Sequence, residues 1–227
     1  MILLIDGPHE PYDIIAIQEQ WPNLGGITTY CPQSCPYYLV HCQTGHGRAC
    51  LYVNKAIPIS KWQAGGEPDY CWVRLETDTG PITIHSIYSE KLESYRTTDW
   101  NTPILRMLEA TETQGEHVVV GDFNLYHPAW GGRRVLQSHT GAEPLVYQLE
   151  TGELELLLEL GTKTREKHKN EPSTLDLCFC TPGLAQWVTS AWLQTSMEAL
   201  IISLLRQCSS LEIRPARSRN HAGTSGK

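Results

Sequence analysis

Short runs of apolar residues, separated by turn-forming Gly, Pro, Asp and Thr, recur along this chain and predict a series of short strands. Residues 13–19 form an almost continuous hydrophobic run, which is typical of a strand covered on both faces. Residues 48–55 also have the pattern of a strand. Residues 70–76 and 82–88 are two further strand patterns, and the turn residues 77–81 between them indicate that these two strands pair.

Helices and loops are predicted between these strands. Capping residues at 97–99, followed by apolar residues on one face, predict a helix that ends near Thr113. Residues 142–150 are predicted to form another helix. Residues 22–50, which are rich in Gly, Pro, Cys and Thr, are predicted to be mostly loop.

Two later strands carry polar residues that such strands do not need for packing. Residues 118–120 are three valines and predict a short buried strand that ends at Gly121. Residues 173–179 predict a strand with Leu175 and Leu177 on one face and Asp176 on the other. An inward Asp is costly unless it meets a metal, a His or amide donors, so this pattern favours a functional Asp176.

Composition sets the scale of the protein. The 227 residues are 41% hydrophobic and 19% charged, which suits one globular domain of ordinary size. We expect this domain to span residues 1–205 and residues 206–227, rich in Ser, Arg, Asn, Gly and Lys, to be a disordered tail. No apolar run approaches membrane-spanning length, so we expect no membrane partner.

The charge balance is acidic, with a formal net charge of −7. This argues against a broad basic face for nucleic acid, although a site of several carboxylates is acidic until its metal arrives. The apolar start of the chain, residues 1–5, lacks a basic n-region and a long h-region, so we expect no signal peptide. We therefore expect an intracellular protein, and a nuclear one if it is functional.

Eight cysteines raise the question of zinc or disulfides. The alternation of Cys178 and Cys180 along a strand predicts buried free thiols on one face. A second group lies early in the chain, but it contains no C-x-x-C pair and its spacing matches no common zinc module. A zinc knuckle is therefore disfavoured for this group, which consists of Cys31, Cys35, Cys42 and Cys50 with His41 and His46 between them.

An acid, a carboxamide and an imidazole follow the valine strand within six positions: Asp122, Asn124 and His127. Polar groups at the mouth of a stiff hydrophobic strand are a common way to present catalytic or metal-binding side chains. The alternative is an Asx-type turn in which Asp122 and Asn124 only cap backbone amides. Local chemistry alone leaves both interpretations open.

The motif Gly121-Asp122-Phe123-Asn124 after a Val-rich strand resembles a signature of the endonuclease/exonuclease/phosphatase superfamily. The continuation through Pro128, followed by Trp130-Gly131-Gly132, is similar to the endonuclease domain of non-LTR retrotransposons, particularly those of fungi. Tyr126 stands where the first of two histidines occurs in those relatives. The resemblance implies an α/β fold, a two-layered β-sandwich flanked by helices.

The same resemblance extends to three other segments and implies a set of site residues. Gln18-Glu19 matches the Gln-Glu at the end of an early strand, where the Glu is the principal ligand of Mg²⁺ (or Mn²⁺); the alternative is that Glu19 only caps the following loop. The segment 161–164 matches a Gly-Thr-x-Thr motif of retroelement endonucleases. The segment 173–179 matches Ser-Thr-Ile-Asp-Leu-x-Phe, whose Asp organises the catalytic network.

The resemblance implies a role for each site residue. These roles are metal binding for Glu19, water and phosphate positioning for Asp122 and Asn124, support of the network by Asp176, and a lining role for Tyr88 and His127.

The chain departs from the family pattern in two places. Active relatives begin with a strand that carries an Asn ligand, followed by a helix, and too little sequence precedes residue 13 for both. We therefore expect the strand to be missing and residues 1–13 to be the remnant of the helix and its loop. The family also has a Ser-Asp-His motif before its final strand. Here Ser196 is followed by Met197, and no His occurs between His168 and His221. The His that acts in relatives as general base or as stabiliser of the phosphorane is therefore missing, and Glu198 is the nearest substitute.

Two main hypotheses follow from the resemblance. The first is a metal-dependent phosphodiesterase that nicks DNA for target-primed reverse transcription, with DNA and a reverse transcriptase of the same element as partners. The second is a truncated retroelement remnant that keeps the fold and the metal carboxylates but does not cleave. A phospholipid or inositol phosphate substrate is a weaker alternative, because the residue 126–132 motif belongs to DNA-cutting relatives. In the first case we expect Glu19, Asp122 and Asp176 to meet in a common cleft.

Overall fold

The structure is a computed structural model. It describes residues 12–19, 31, 33–43, 47–91, 102–167, 170–186, 188–194 and 199–204. Most of the predicted helix-and-loop remnant (1–11), the helix start (97–99), the Ser-Met-Glu segment (196–198) and the tail (206–227) lie outside these residues.

Five strands form the first sheet, and all of its pairs are antiparallel. They are β1 (Ile14–Gln18), β2 (Tyr37–His41), β3 (Ala49–Asn54), β12 (Val188–Gln194) and β13 (Ala199–Leu204). Their order is β12-β13-β1-β3-β2, so that β1 lies at the centre of the sheet. This position explains the near-continuous hydrophobic pattern of β1, because a central strand of a packed sheet is covered on both faces.

Six strands form the second sheet. They are β4 (Trp62–Glu67), β5 (Tyr70–Thr77), β6 (Gly80–Tyr88), β7 (Glu116–Asp122), β8 (Glu155–Leu156) and β11 (Asp176–Cys180), in the order β4-β5-β6-β7-β11-β8. The pair β6–β7 is parallel, and the other pairs are antiparallel. A separate hairpin consists of β9 (Arg165–Lys167) and β10 (Asn170–Ser173).

Helices cover the second sheet on its outer face. The described α-helices are α1 (Thr102–Thr111), α2 (Pro128–Gly131), α3 (Glu143–Thr151) and α4 (Pro182–Ala185), with single 3₁₀ turns at Ile59–Lys61, Gly132–Arg134 and Thr140–Ala142. Buried side chains of α1, α2 and α3 pack against β7 and β11, through Ile104, Met107, Trp130, Leu145, Val119 and Phe179. No helix in the described part of the chain has the length and apolarity needed to cross a membrane.

The main core lies between the two sheets. Alternate residues of β7 and β11, such as Val118, Val120 and Cys178, meet Leu51 and Val53 of the first sheet. The next residue along each strand points to the helices instead, as the period of two requires. The architecture is the predicted two-layered β-sandwich flanked by helices.

Most of the predicted elements are confirmed. The strands predicted at 13–19, 48–55, 70–76 and 82–88 are β1, β3, β5 and β6, and the helix predicted at 142–150 is α3. Seven cysteines lie in the described residues and are free thiols, and Cys178 and Cys180 are buried on the inner face, as predicted.

Several strands were not predicted, among them β2 and β4. The loop assignment for residues 22–50 is wrong over β2 (Tyr37–His41), which pairs with β3 from Tyr37↔Asn54 to His41↔Cys50. Strand β4 contains two glycines and pairs with β5 along its whole length. Strand β2 has a local hydrophobic run, residues 37–40, inside a segment whose Gly, Pro, Cys and Thr content indicates a loop. Strand β4 has no such run, and the neighbouring β5 supplies its hydrogen-bond partners.

Candidate active site

Three polar side chains lie side by side where β6 and β7 end and β11 begins. Tyr88 is paired with Asp122 in parallel register, and Asp122 is paired with Asp176 in antiparallel register. Residues in register project to the same face of a sheet, so the three side chains form a row across neighbouring strands. Val118 and Val120 lie four and two residues before Asp122 on β7, so their side chains project to the same face as that of Asp122. Both valines belong to the core between the sheets. The row therefore faces the other sheet, at one end of the sandwich.

Glu19 meets this row from the opposite sheet. It directly follows Gln18, whose Nε2 donates to Ser86 Oγ across the two sheets at 2.9 Å. The Tyr88 hydroxyl donates to the Glu19 carboxylate. Burial, this hydrogen bond and the charges of Glu19 and Asp122 raise the pKa of Tyr88 to about 12, although Arg48 opposes the shift. A protonated Tyr88 therefore links Glu19 of one sheet to the acidic row of the other.

The backbone is unusual at two of the candidate residues. Glu19 and Asn124 have φ values of 51° and 50°, and they are the non-glycine residues with positive φ in the described part of the chain. This conformation costs an L-residue about 1–2 kcal/mol. Such strain collects at functional sites, where the surrounding structure holds it in place. Here it turns the chain sharply after β1 and just after β7.

Asp122 and Asn124 make the turn that the sequence left open as an alternative. The amide N–H of Asn124 donates to Asp122 Oδ1 at 3.1 Å, which is an Asx-turn contact. The side chain of Asn124 does not cap this turn, because its Nδ2 donates to the Ser89 carbonyl at 2.9 Å. Ser89 also donates its N–H to the Asp122 carbonyl at 2.8 Å. The turn and the site therefore coexist, and the turn fixes the ends of β6 and β7 to each other.

The Gly-Thr-x-Thr segment holds the start of β11. Thr164 Oγ1 accepts from the N–H groups of Leu175 and Asp176 at 2.9 and 3.0 Å. Thr174 Oγ1 donates to the Thr162 carbonyl at 2.6 Å. These bonds place Asp176 opposite a second acid, an arrangement that is unfavourable for two bare carboxylates.

His127 has a defined structural contact. Its Nδ1 accepts from the Ala129 N–H at 3.1 Å and so caps α2. Burial lowers the pKa of His127, which keeps the ring neutral and able to accept. The buried Trp130 lies against it with ring centroids 5.2 Å apart and donates from Nε1 to the Leu125 carbonyl at 2.9 Å. These bonds explain the His-Pro-x-Trp spacing, and the lining role of His127 stays a prediction.

Sequence reasoning missed Arg48. Its guanidinium carbon lies 4.3 Å from the centroid of the Tyr88 ring, and its carbonyl accepts the Glu19 N–H at 2.7 Å. The available signal was its place at the end of a Gly-rich loop, immediately before the fully buried start of β3. Such a signal does not distinguish an Arg at the margin of the hydrophobic core from an Arg that belongs to a functional site.

A metal at this site would rely on few protein ligands. Among the described residues, no group of three or more His, Cys, Asp or Glu side chains is placed to hold a metal ion. Glu19, Asp122 and Asp176 thus share one end of the sandwich without forming a three-acid cage. Mg²⁺ typically keeps several waters and binds through one or two carboxylates plus substrate phosphates. The exposed Glu19 carboxylate fits that mode of binding.

The comparisons with known proteins agree with this fold. The endonuclease domain of TRAS1, a telomere-specific non-LTR retrotransposon, is 16% identical with a TM-score of 0.50, and the match covers 86% of this chain and 81% of that one. The 3'-5' exonuclease NExo from Neisseria meningitidis is 14% identical with a TM-score of 0.60, covering 89% and 92%. An AP endonuclease from Archaeoglobus fulgidus is 14% identical with a TM-score of 0.53, covering 85% and 88%.

The fold is therefore that of the endonuclease/exonuclease/phosphatase superfamily. The sequence profile of the endonuclease-reverse transcriptase family matches residues 82–199, more than half of the chain. The chain belongs to this family. No curated protein matches its sequence.

Proposed function

We propose that this protein is a metal-dependent phosphodiesterase that nicks DNA. The observation that carries the proposal is the link between the two sheets, in which the Tyr88 hydroxyl bonds Glu19 and lies beside Asp122. These residues come from distant parts of the chain and meet at one end of the sandwich. Family membership supports the proposed reaction class, and this juxtaposition supports the choice of site residues.

Each residue has a role that its surroundings support. Asp122 orients the attacking water, and the second side-chain N–H of Asn124 binds a phosphate oxygen while the first holds Ser89. Tyr88, which stays protonated at neutral pH, donates to Glu19 and keeps that carboxylate in place. Asp176 supports Asp122 from the adjoining strand. When bound at Glu19, Mg²⁺ or Mn²⁺ supplies positive charge that stabilises the phosphate in the transition state.

The substrate and the setting follow from the relatives. The family is named for an endonuclease joined to a reverse transcriptase, and one structural neighbour is a retrotransposon endonuclease domain. We propose that the chain acts on nuclear DNA inside the cell, and that the nick provides a primer for a reverse transcriptase of the same element.

A specific observation favours a second function, that of a domain that keeps the fold and the metal site without cleaving. Met197 follows Ser196 where relatives have Asp-His, and the sequence has no His between His168 and His221. A positioned general base contributes about 10²–10⁴-fold to rate, so its loss leaves at most slow turnover.

A plasmid-nicking assay distinguishes the two functions. The chain is compared, with Mg²⁺ and with EDTA, against a variant in which Met197 is replaced by Asp-His. Nicking by the unaltered chain that EDTA stops would establish the first function. Nicking that appears only in the restored variant would establish the second, and no nicking by either protein would exclude the first.

A further inference from the structure

Arg48 brings positive charge to a site that is otherwise acidic. Its guanidinium stacks over the ring of Tyr88, with 4.3 Å between the guanidinium carbon and the ring centroid. Its carbonyl oxygen accepts the N–H of Glu19. The residue is thus attached to both sheets, to Glu19 through its backbone and to Tyr88 through its side chain.

Two carboxylates hold the guanidinium, and they differ in exposure. Asp69 accepts from Nε at 2.9 Å and from Nη2 at 2.7 Å, and its side chain is 19% exposed. Glu90 accepts from Nη1 at 3.3 Å, and its side chain is 73% exposed. Bidentate, shielded pairs are strong, whereas exposed single contacts contribute little. Asp69 is therefore a fixed support, and Glu90 is a partner that is easily replaced.

The backbone around this pair fixes its orientation. The Arg48 N–H donates to the Pro68 carbonyl at 2.7 Å, and the Tyr88 N–H donates to the Asp69 carbonyl at 2.9 Å. The bond to Asp69, together with the charges of Asp69 and Glu90, raises the pKa of Arg48 above its usual range, so the charge is permanent. A guanidinium held in this way loses little conformational freedom when it binds an anion.

We propose that Arg48 binds a backbone phosphate of DNA beside the candidate active site, and that Glu90 holds one of the same donors in the free protein until the phosphate replaces it. This rests on the proposed function, because it takes DNA to lie across the site. Asp69 and Glu90 use three of the five guanidinium N–H donors. The phosphate takes the Nη1 donor that Glu90 held and the two unused N–H donors, while Asp69 keeps its hydrogen bonds to Nε and Nη2.

The charge of the molecule gives this residue its importance. The net charge is −7, and Glu19, Asp122 and Asp176 add negative charge where the phosphate must lie. DNA affinity comes mainly from cations that neutralise phosphates, and Arg matches phosphate geometry with two parallel bonds. A cation that already touches Tyr88 is placed to offset the repulsion locally.

The test measures binding of a fluorescein-labelled DNA duplex by anisotropy in EDTA, where cleavage is prevented, over a series of salt concentrations. The variants are Arg48→Gln, Arg48→Lys, Glu90→Gln and the double variant Arg48→Gln/Glu90→Gln. Arg74→Gln and Glu76→Gln are matched controls. Arg74 and Glu76 form a similar surface pair, with 3.7 Å between Nε and Oε1, and lie on β5 of the second sheet, toward the end opposite to Tyr88.

We expect Arg48→Gln to weaken binding about tenfold and to lower the salt slope by about 0.9, relative to Arg74→Gln. Arg48→Lys should keep the salt slope and lose part of the affinity. Glu90→Gln should strengthen binding about two- to fivefold more than Glu76→Gln does, and this gain should vanish in the double variant. Since Glu90→Gln leaves the Arg48–Asp69 pair intact, its result does not depend on whether Arg48→Gln folds.

Equal effects of Arg48→Gln and Arg74→Gln would overturn the proposal, and so would a gain from Glu90→Gln that persists without Arg48. Absence of duplex binding by the unaltered chain would overturn it as well. Duplex binding with this pattern but without Mg²⁺-dependent nicking would remove the proposed catalytic function and leave the phosphate contact of Arg48 standing.

Discussion

At the scale of single residues, the candidate site is marked by backbone conformation as much as by side-chain chemistry. Glu19 and Asn124 adopt left-handed φ values that few non-glycine residues tolerate. Asn is among the residues that accept this conformation most readily, and Glu is not. The chain therefore holds Glu19 in place with external contacts, namely the Arg48 carbonyl at its N–H and the Tyr88 hydroxyl at its carboxylate.

Substitution of Asn124 separates the conformational cost from the hydrogen bond. Asn124→Ala and Asn124→Gly both remove the bond to the Ser89 carbonyl, but only Gly accepts the left-handed φ freely. We expect Asn124→Ala to be less stable than Asn124→Gly by about 1 kcal/mol in urea unfolding. Equal stabilities, or a more stable Ala variant, would contradict the left-handed conformation at this position.

At the scale of elements, a chain of hydrogen bonds crosses β5, β6 and β7. The Tyr70 hydroxyl lies 2.8 Å from His85 Nδ1, His85 Nε2 lies 3.1 Å from His117 Nδ1, and His117 Nε2 lies 3.0 Å from the Thr113 carbonyl. Only one proton order satisfies this chain with two neutral rings, in which each Nε2 donates and each Nδ1 accepts. The fully buried His85 thus serves the fold.

This chain of bonds makes stability depend on pH. Burial, and secondarily the charge of His117, lower the pKa of His85 to about 3, from about 6.5 in the unfolded chain. Burial also lowers the pKa of His117, with Arg74 acting in the same direction and Glu116 against it. The unfolded state therefore binds more protons than the folded state below pH 6.5. The free energy of unfolding is highest above that pH and falls as the pH decreases toward 3.

We expect His85 to contribute about 1.4 kcal/mol of lost stability per pH unit between pH 6 and 4. Urea unfolding across this range should give a flatter curve for His85→Gln than for the unaltered chain. Tyr70→Phe is the control, because it removes one hydrogen bond without removing the titrating group and should give a parallel curve. If the curve of His85→Gln is also parallel to that of the unaltered chain, the assignment of His85 as a buried neutral residue is wrong.

Gly121 lets β6 and β7 approach closely at the site. A Cβ at this position would lie 2.1 Å from the Ile87 carbonyl oxygen, whereas a Cβ at Gly152 would meet nothing within 4 Å. We expect Gly121→Ala to lower the free energy of unfolding by about 3 kcal/mol and to disturb the Tyr88–Asp122 register. Gly152→Ala, where only the φ of 75° matters, should lose about 1 kcal/mol. Similar losses for the two variants would exclude the backbone clash.

The elements and residues differ in how far the sequence predicts them. The valine strand and the Asp122–Asn124 motif could be predicted, because local hydrophobic patterns and a specific motif determine them. Strand β2 was missed although residues 37–40 form an apolar run, because the surrounding segment is rich in Gly, Pro, Cys and Thr. Arg48 could not be predicted, because its contact with Tyr88 joins parts of the chain that meet only in the folded state. The contact of Glu19 with Tyr88 was not predicted, because the family resemblance led us to expect only that Glu19 meets Asp122 and Asp176 and that Tyr88 lines the site.

At the scale of the whole molecule, two sheets from opposite halves of the fold supply the site together. The first sheet contributes Glu19 after its central strand, and the second contributes the row of Tyr88, Asp122 and Asp176. Rigid strands hold these residues, and their close approach raises the local negative charge of an already acidic protein. A site of this kind gains from a divalent cation and a phosphate together more than from either alone.

The most direct measurement is the rate of plasmid nicking as a function of Mg²⁺ concentration for the unaltered chain and for Glu19→Gln, with Glu76→Gln as a control of equal charge change. We expect nicking by the unaltered chain to require Mg²⁺, Glu19→Gln to lower the rate at least about a hundredfold, and Glu76→Gln to leave it unchanged. Nicking by Glu19→Gln at the rate of the unaltered chain, with the same Mg²⁺ dependence, would contradict the assignment of the site.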